Sequence, residues 1–123
     1  MSWIYQQSNG ILRDRCGLLV GVGYSGSGPF RNLPSAQTLI DRGPIPRGFW
    51  DILGPPEDMP DYGPYVLRLQ PHVDTKTFSR EDFVIHGDCV YVPKMVSRGS
   101  IVLPCVVRRD IWESGDYILQ VIA

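Results

Sequence analysis

Apolar and polar residues alternate with a period near two over several short stretches of this chain, and that period is the signature of strands with one buried face. Trp3 to Gln6 sets aromatic and aliphatic residues against polar ones. Gly17 to Tyr24 is an apolar run broken by glycines, and Phe49 to Leu53 is short and aromatic. Tyr65 to Gln70, Phe83 to His86 and Asp116 to Ile122 complete the set of predicted strands, the last closing a sheet at the C-terminus. Two segments lean helical. Ser35 to Arg42 has room for a turn or two before Gly43 and Pro44. Pro104 to Glu113 places Val106, Val107 and Ile111 near one face, with Pro104 at its start and Gly115 past its end. Eleven prolines and thirteen glycines punctuate these runs, and no repeat or linker divides them. The pattern predicts a single, mainly β domain over residues 1–123, a β-sandwich or twisted sheet with one or two short helices.

Composition narrows the classes of function. At 123 residues the chain is long enough to bury roughly two-thirds of its unfolded surface in one core. A formal net charge of -1 offers no general attraction to nucleic acid or anionic lipid. Ten of the twelve cations are arginine, whose planar fork suits carboxylate recognition, although surface ion pairs account for most arginines in most proteins. The N-terminus has neither a basic region nor a long apolar one, and no run reaches membrane-spanning length. The expectation is therefore a protein made in the cytoplasm without a signal peptide and without membrane insertion. Cys16, Cys89 and Cys105 show no paired short spacing, and only His72 and His86 could join them, so no metal or other cofactor is expected. Cys89 and Cys105 are read either as small buried hydrophobes or, in an oxidising compartment, as a disulfide worth about 3 kcal/mol.

One segment carries candidate chemistry. Phe83-Val84-Ile85-His86-Gly87-Asp88 delivers a histidine at the end of an apolar strand, and Ser97-Arg98-Gly99-Ser100-Ile101-Val102-Leu103 returns fourteen positions after His86 with a small, glycine-containing loop. A histidine in that setting is most often a packed structural residue. Its neighbours add to it. Gly87 permits close approach of a backbone or substrate, and Asp88 has the reach to orient the ring or cap the next turn. Gly99 before Ser100 allows a loop whose N–H groups face a developing oxyanion, as attack on a carbonyl requires.

These residues, taken with Trp3 to Ser8 and Gly10, Gly23-Tyr24-Ser25-Gly26, Gly43-Pro44-Ile45-Pro46-Arg47-Gly48 and the arginine strand Leu67-Arg68-Leu69, span nearly the whole chain. In that order they resemble the type VI secretion L,D-transpeptidase effectors, bacterial toxins distantly similar to the YkuD-type L,D-transpeptidases. The family pattern is histidine, glycine and aspartate at a strand end, then serine, a variable residue, glycine, cysteine and an aliphatic pair. His86, Gly87, Asp88, Ser97, Gly99, Ile101 and Val102 match it, and Ser100 stands where the cysteine belongs. The resemblance implies a YkuD-like fold and acyl transfer on peptidoglycan tetrapeptide stems: L,D-carboxypeptidase action, D-amino acid exchange or cross-linking. It assigns His86 as base, position 100 as nucleophile, Gly99 and position 100 as oxyanion donors and Ser97 as a support of the loop or of His86. Arg98, Arg47 and Arg68 become candidates for the substrate carboxylate, with Gly87 and Tyr24 at the substrate groove; a structural ion pair is the competing reading of each arginine. It also implies a cognate immunity protein, delivery by the type VI apparatus and action in the periplasm of a target cell.

The serine changes what this chain does. A thiol has a pKa near ~8.5 that a histidine can lower, whereas a hydroxyl must lose its proton during attack. An engineered cysteine-to-serine replacement fits the otherwise complete match, a natural pseudoenzyme that keeps the groove comes second, and a working serine enzyme third. Cys105 lies after Pro104, outside the glycine loop, and is a poor substitute nucleophile. The alternatives from other classes are a non-catalytic module binding stem peptides or an immunity protein, and a serine hydrolase, for which no nucleophile-elbow sequence is present.

Overall fold

A computed structural model of the chain describes residues 2–88 and 99–123. In chain order the described elements are β1 (Trp3–Gln6), β2 (Ile11–Arg13), β3 (Leu19–Val22), β4 (Tyr24–Ser25), β5 (Gly48–Met59), β6 (Gly63–Pro71), β7 (Val84–His86), β8 (Ile101–Val102), α1 (Cys105–Glu113) and β9 (Ile118–Ile122). Among the described residues the strands form one nine-stranded sheet in the order β3-β2-β1-β9-β5-β6-β7-β8-β4. The fold is mainly β, with one α-helix and two 3-10 turns, Gly28–Phe30 and Pro34–Ala36, among the described residues. Among the described residues no helix is long and apolar enough to cross a membrane.

The sheet order forces curvature. β3 and β4 are the two edges of the sheet, yet only Gly23 separates them in sequence. The sheet therefore curls until its edges nearly meet at Gly23, whose N–H continues the β2–β3 ladder by donating to the Gly10 carbonyl at 2.8 Å and whose Cβ position would lie 1.8 Å from the Val102 oxygen of β8. Gly10 has φ +71, and a Cβ there would lie 1.9 Å from the Gly23 oxygen, so the seam requires glycine.

Inside the curl lies the core. Trp3 and Tyr5 of β1, Trp50 and Ile52 of β5, Leu67 and Leu69 of β6 and Leu119 and Val121 of β9 point inward at alternate positions. β7 and β8 are buried on both faces, with Ile85 and Ile101 paired at the centre. Val107 and Ile111 pack α1 against this core. Val106, grouped with them by periodicity, is 64% exposed, and Arg108 is the third buried residue of the helix instead.

Other expectations also shift. Ile11–Arg13 pairs with both β1 and β3, although three residues between a glycine and a charged turn carry too little pattern to be predicted. β5 continues beyond Leu53 through Gly54, Pro55 and Pro56 to Met59, at the cost of register shifts against β6. Ser35 to Arg42 forms no α-helix; the 3-10 turn and further turns occupy it, with the Gln37 carbonyl accepting from Arg80 and the Arg42 carbonyl from the Ser27 N–H instead of from helix N–H groups. Cys105 is exposed and has no disulfide among the described residues, so the buried-hydrophobe reading does not hold for it. Cys89 lies outside the described residues.

Candidate functional site

β7 and β8 run parallel, with Ile85 opposite Ile101 and His86 opposite Val102. That register puts position 100 level with Val84, two residues before His86, or roughly 6.6 Å along the strand direction. The Leu103 N–H donates to the His86 carbonyl at 3.0 Å and extends the pairing past the strand ends. Both candidate residues are enclosed, His86 at 1% and Ser100 at 2% exposure.

The neutral ring of His86 is fixed in one tautomer by its neighbours. Nδ1 lies 2.8 Å from the Gly87 carbonyl oxygen, which only accepts, so Nδ1 carries the proton. Nε2 is then a lone-pair acceptor, and it is buried with no hydrogen-bond partner among the described residues. Tyr62 lies over the ring with centroids 4.6 Å apart. Burial pushes the His86 pKa below its ordinary 6.5; the bond to Gly87 pulls the other way, the Arg108 cation adds to the depression and Asp88 opposes it. The imidazole is a neutral base at pH 7.

Ser100 is held differently. Its Oγ accepts the Val84 N–H at 3.0 Å, standing in for a ladder bond at the start of β7. Its carbonyl accepts from Ser25 Oγ at 2.8 Å, and Ser25 Oγ in turn accepts the Ile45 N–H at 2.8 Å. Gly99 has φ +101, and a Cβ on it would stand 1.8 Å from Arg80 Nη2. Neither ring nitrogen of His86 bonds to Ser100.

Beside His86 opens a cleft of about 780 Å³, and the strand ends supply its walls. Tyr24, Tyr62, Gly87, Asp88, Cys105 and Arg108 line it, as do Asn32 and Arg31, whose guanidinium lies 6.0 Å over the Tyr24 ring. The Tyr24 hydroxyl donates to Asp88 at 2.8 Å, joining β4 to the turn after β7. Tyr24, Gly87 and Asp88 therefore share one concavity, while His86, Gly99 and Ser100 do not border it. Arg47 is exposed away from this cleft, where its backbone N–H donates to Gln37. Arg68 is exposed on β6 in an ion pair with Glu57 and borders a separate depression with Asp82. Ser97 and Arg98 lie outside the described residues. Among the described residues no group of three or more histidine, cysteine or acidic side chains gathers where it could hold a metal ion.

Two arginines that the sequence does not single out matter most. Arg80 and Arg108 are 5% and 4% exposed, and among the described residues neither has a carboxylate in salt-bridge contact. Arg80 donates to the carbonyls of Gln37, Pro44 at 2.8 Å and Gly43 at 2.9 Å, and lies over the Phe83 ring at 5.2 Å. Arg108 donates Nε to Leu103 at 3.1 Å and Nη1 to Pro64 at 2.7 Å and Tyr65 at 2.9 Å. Burial lowers the pKa of each, yet a guanidinium stays charged at any physiological pH. The one signal in the sequence was Arg108's place one position after Val107 on the apolar side of α1, a position that calls for a hydrophobe unless backbone carbonyls wait for it.

The arrangement thus offers a neutral histidine with an unused lone pair, an adjoining cleft with a tyrosine–aspartate pair and a buried cation, and a glycine-preceded loop at position 100. Compared with protein-family models, with curated proteins and with solved structures, the chain matches none.

Proposed function

We propose that this chain is an L,D-transpeptidase-type antibacterial effector domain that takes peptidoglycan tetrapeptide stems into the cleft beside His86, with Ser100 in the nucleophile position leaving it silent in turnover. The observation that carries the reading is the state of His86: a buried imidazole with Nδ1 committed to Gly87 and Nε2 unpartnered among the described residues, at the end of the strand that runs beside position 100. Leaving a buried acceptor unpaired costs about 1–3 kcal/mol, a cost that a structural histidine avoids and a base awaiting a proton accepts.

With cysteine at position 100, the chemistry balances as follows. The thiol proton passes to His86 Nε2, and the thiolate attacks the carbonyl carbon of the third stem residue. The bond to D-alanine breaks, its amine takes the proton from His86, and a thioester remains. Water then yields a tripeptide, a neighbouring amine a cross-link, and a free D-amino acid an exchanged stem. Serine removes the first step, because its hydroxyl has no accessible anion and its oxygen is engaged by the Val84 N–H. In this reading delivery by a type VI apparatus, action in the target periplasm and neutralisation by an immunity protein follow from the resemblance.

A second reading, a binding module with no catalytic history to restore, is favoured by the closure of Ser100 and its absence from the cleft wall. Incubating the Ser100→Cys form with tetrapeptide muropeptides and weighing the products separates the two. Loss or exchange of D-alanine supports the effector reading. Unchanged tetrapeptides with a folded protein and measurable stem binding support the module, and absence of binding in both forms removes both.

A further inference from the structure

Arg108 spends three of the five N–H groups of its guanidinium on backbone carbonyls, one from Nε and two from Nη1. The remaining two, on Nη2, make no hydrogen bond among the described residues, although the residue is only 4% exposed. Nη2 is not sealed off with the rest of the residue: it keeps access to solvent, so its donors are presented to an incoming group rather than enclosed. Arg108 lines the cleft, and Nη2 lies 2.9 Å from where a Cβ on Gly87 would stand, so the absent side chain at Gly87 is what leaves Nη2 room. Nη2 thus lies against the backbone that follows His86.

We infer that Arg108 Nη2 is the anchor for a free carboxylate of the cleft's ligand, with Gly87 keeping the approach open. This rests on the stem-peptide reading of the cleft and names the group recognised within it. The three carbonyl bonds fix the guanidinium before any ligand arrives, so binding orders no flexible side chain, and the bond formed is charge-assisted. Asp88 in the same cleft, held by Tyr24, disfavours a multiply charged anion and favours a single carboxylate or a dipolar amino-acid head whose ammonium faces Asp88. Arg47, Arg68 and Arg98 are not needed for this role.

The test uses the chain with Ser100 in place, so that turnover does not intervene, and calorimetric titration of two probes: N-acetyl-L-lysyl-D-alanine and its C-terminal amide. The inference expects the acid to bind at least tenfold more tightly than the amide. Gly87→Ala, which leaves Arg108 and its three acceptor carbonyls in the chain while crowding Nη2, is expected to abolish that preference. Arg108→Met is expected to do the same if it folds, and Gly87→Ala decides the matter if it does not. Equal affinity of acid and amide, or a preference that survives Gly87→Ala, overturns the inference. Inorganic phosphate is the control anion; phosphate binding tighter than the acid overturns the choice of carboxylate. If tetrapeptide muropeptides bind but acid and amide do not differ, the inference alone fails. If the acid is preferred and muropeptides do not bind, the stem-peptide reading fails and the carboxylate site stands.

Discussion

Replacing Arg80 by methionine tests how the segment between β4 and β5 is held under the candidate loop. The substitution keeps most of the apolar stem and removes three hydrogen bonds, to Gln37, Gly43 and Pro44. Bonds from a charged donor contribute about 1.5–3 kcal/mol each, and the stranded carbonyls add their own desolvation cost. Against this, the variant no longer buries a cation, which recovers part of the loss. Taking the lower end of each contribution gives a net destabilisation of about 3–5 kcal/mol, a large part of the 5–15 kcal/mol that holds a typical domain together. The core tryptophans Trp3 and Trp50 report unfolding by fluorescence in urea. With a slope of about 2 kcal/mol per molar, the midpoint should fall by roughly 1.5–2.5 M at unchanged slope. A fall of less than about 0.5 M would refute the reasoning, because it would mean that the three carbonyls find other partners without Arg80.

The remaining predictions concern the site itself. Gly99→Ala is expected to destabilise by at least about 3 kcal/mol, since it combines a positive φ with overlap on Arg80 Nη2, and the loss should shrink in the Arg80→Met background; an additive double mutant would separate the two residues. His86 has a folded-state pKa below its ordinary 6.5, so its contribution to stability is fully present above pH 6.5 and is lost as pH falls through the lowered value. His86→Gln should therefore flatten the decline in urea midpoint between pH 7 and pH 5 relative to the unsubstituted chain, and parallel declines would place His86 in solvent. Ser100→Ala strands the buried Val84 N–H and should cost about 1–3 kcal/mol, whereas a neutral result would show that β7 does not depend on that hydroxyl.

β1, β9 and the stretch of β6 from Leu67 onward keep a two-residue period and were legible because one face of each meets the core and the other meets water. β7 was legible as an apolar run ending in His86. Ile11–Arg13 was not, because its place depends on partners on both sides and not on its own composition. The long reach of β5 was hidden by Gly54, Pro55 and Pro56, which read as a strand breaker in sequence. At the site, the company of Gly87 with His86 followed the quoted motif, since adjacency in sequence fixes it, whereas the Tyr24–Asp88 bond joins residues 64 positions apart and had no local signal. The buried cations did not follow it. Arg80 and Arg108 are satisfied by backbone carbonyls far away in sequence, and no local pattern announces carbonyls that a fold leaves unpaired. Arg47 and Arg68 illustrate the reverse, being conspicuous in motifs yet located away from the cleft.

The central claim is that the imidazole at the end of β7 serves residue 100 as a base for acyl transfer. Intact-protein mass measurement of the Ser100→Cys form after brief exposure to a tetrapeptide stem tests it directly. The account predicts a covalent adduct equal to the stem less one D-alanine, removed by hydroxylamine and absent when His86→Ala is added. An unmodified folded protein, or an adduct that forms equally well without the imidazole, would contradict it.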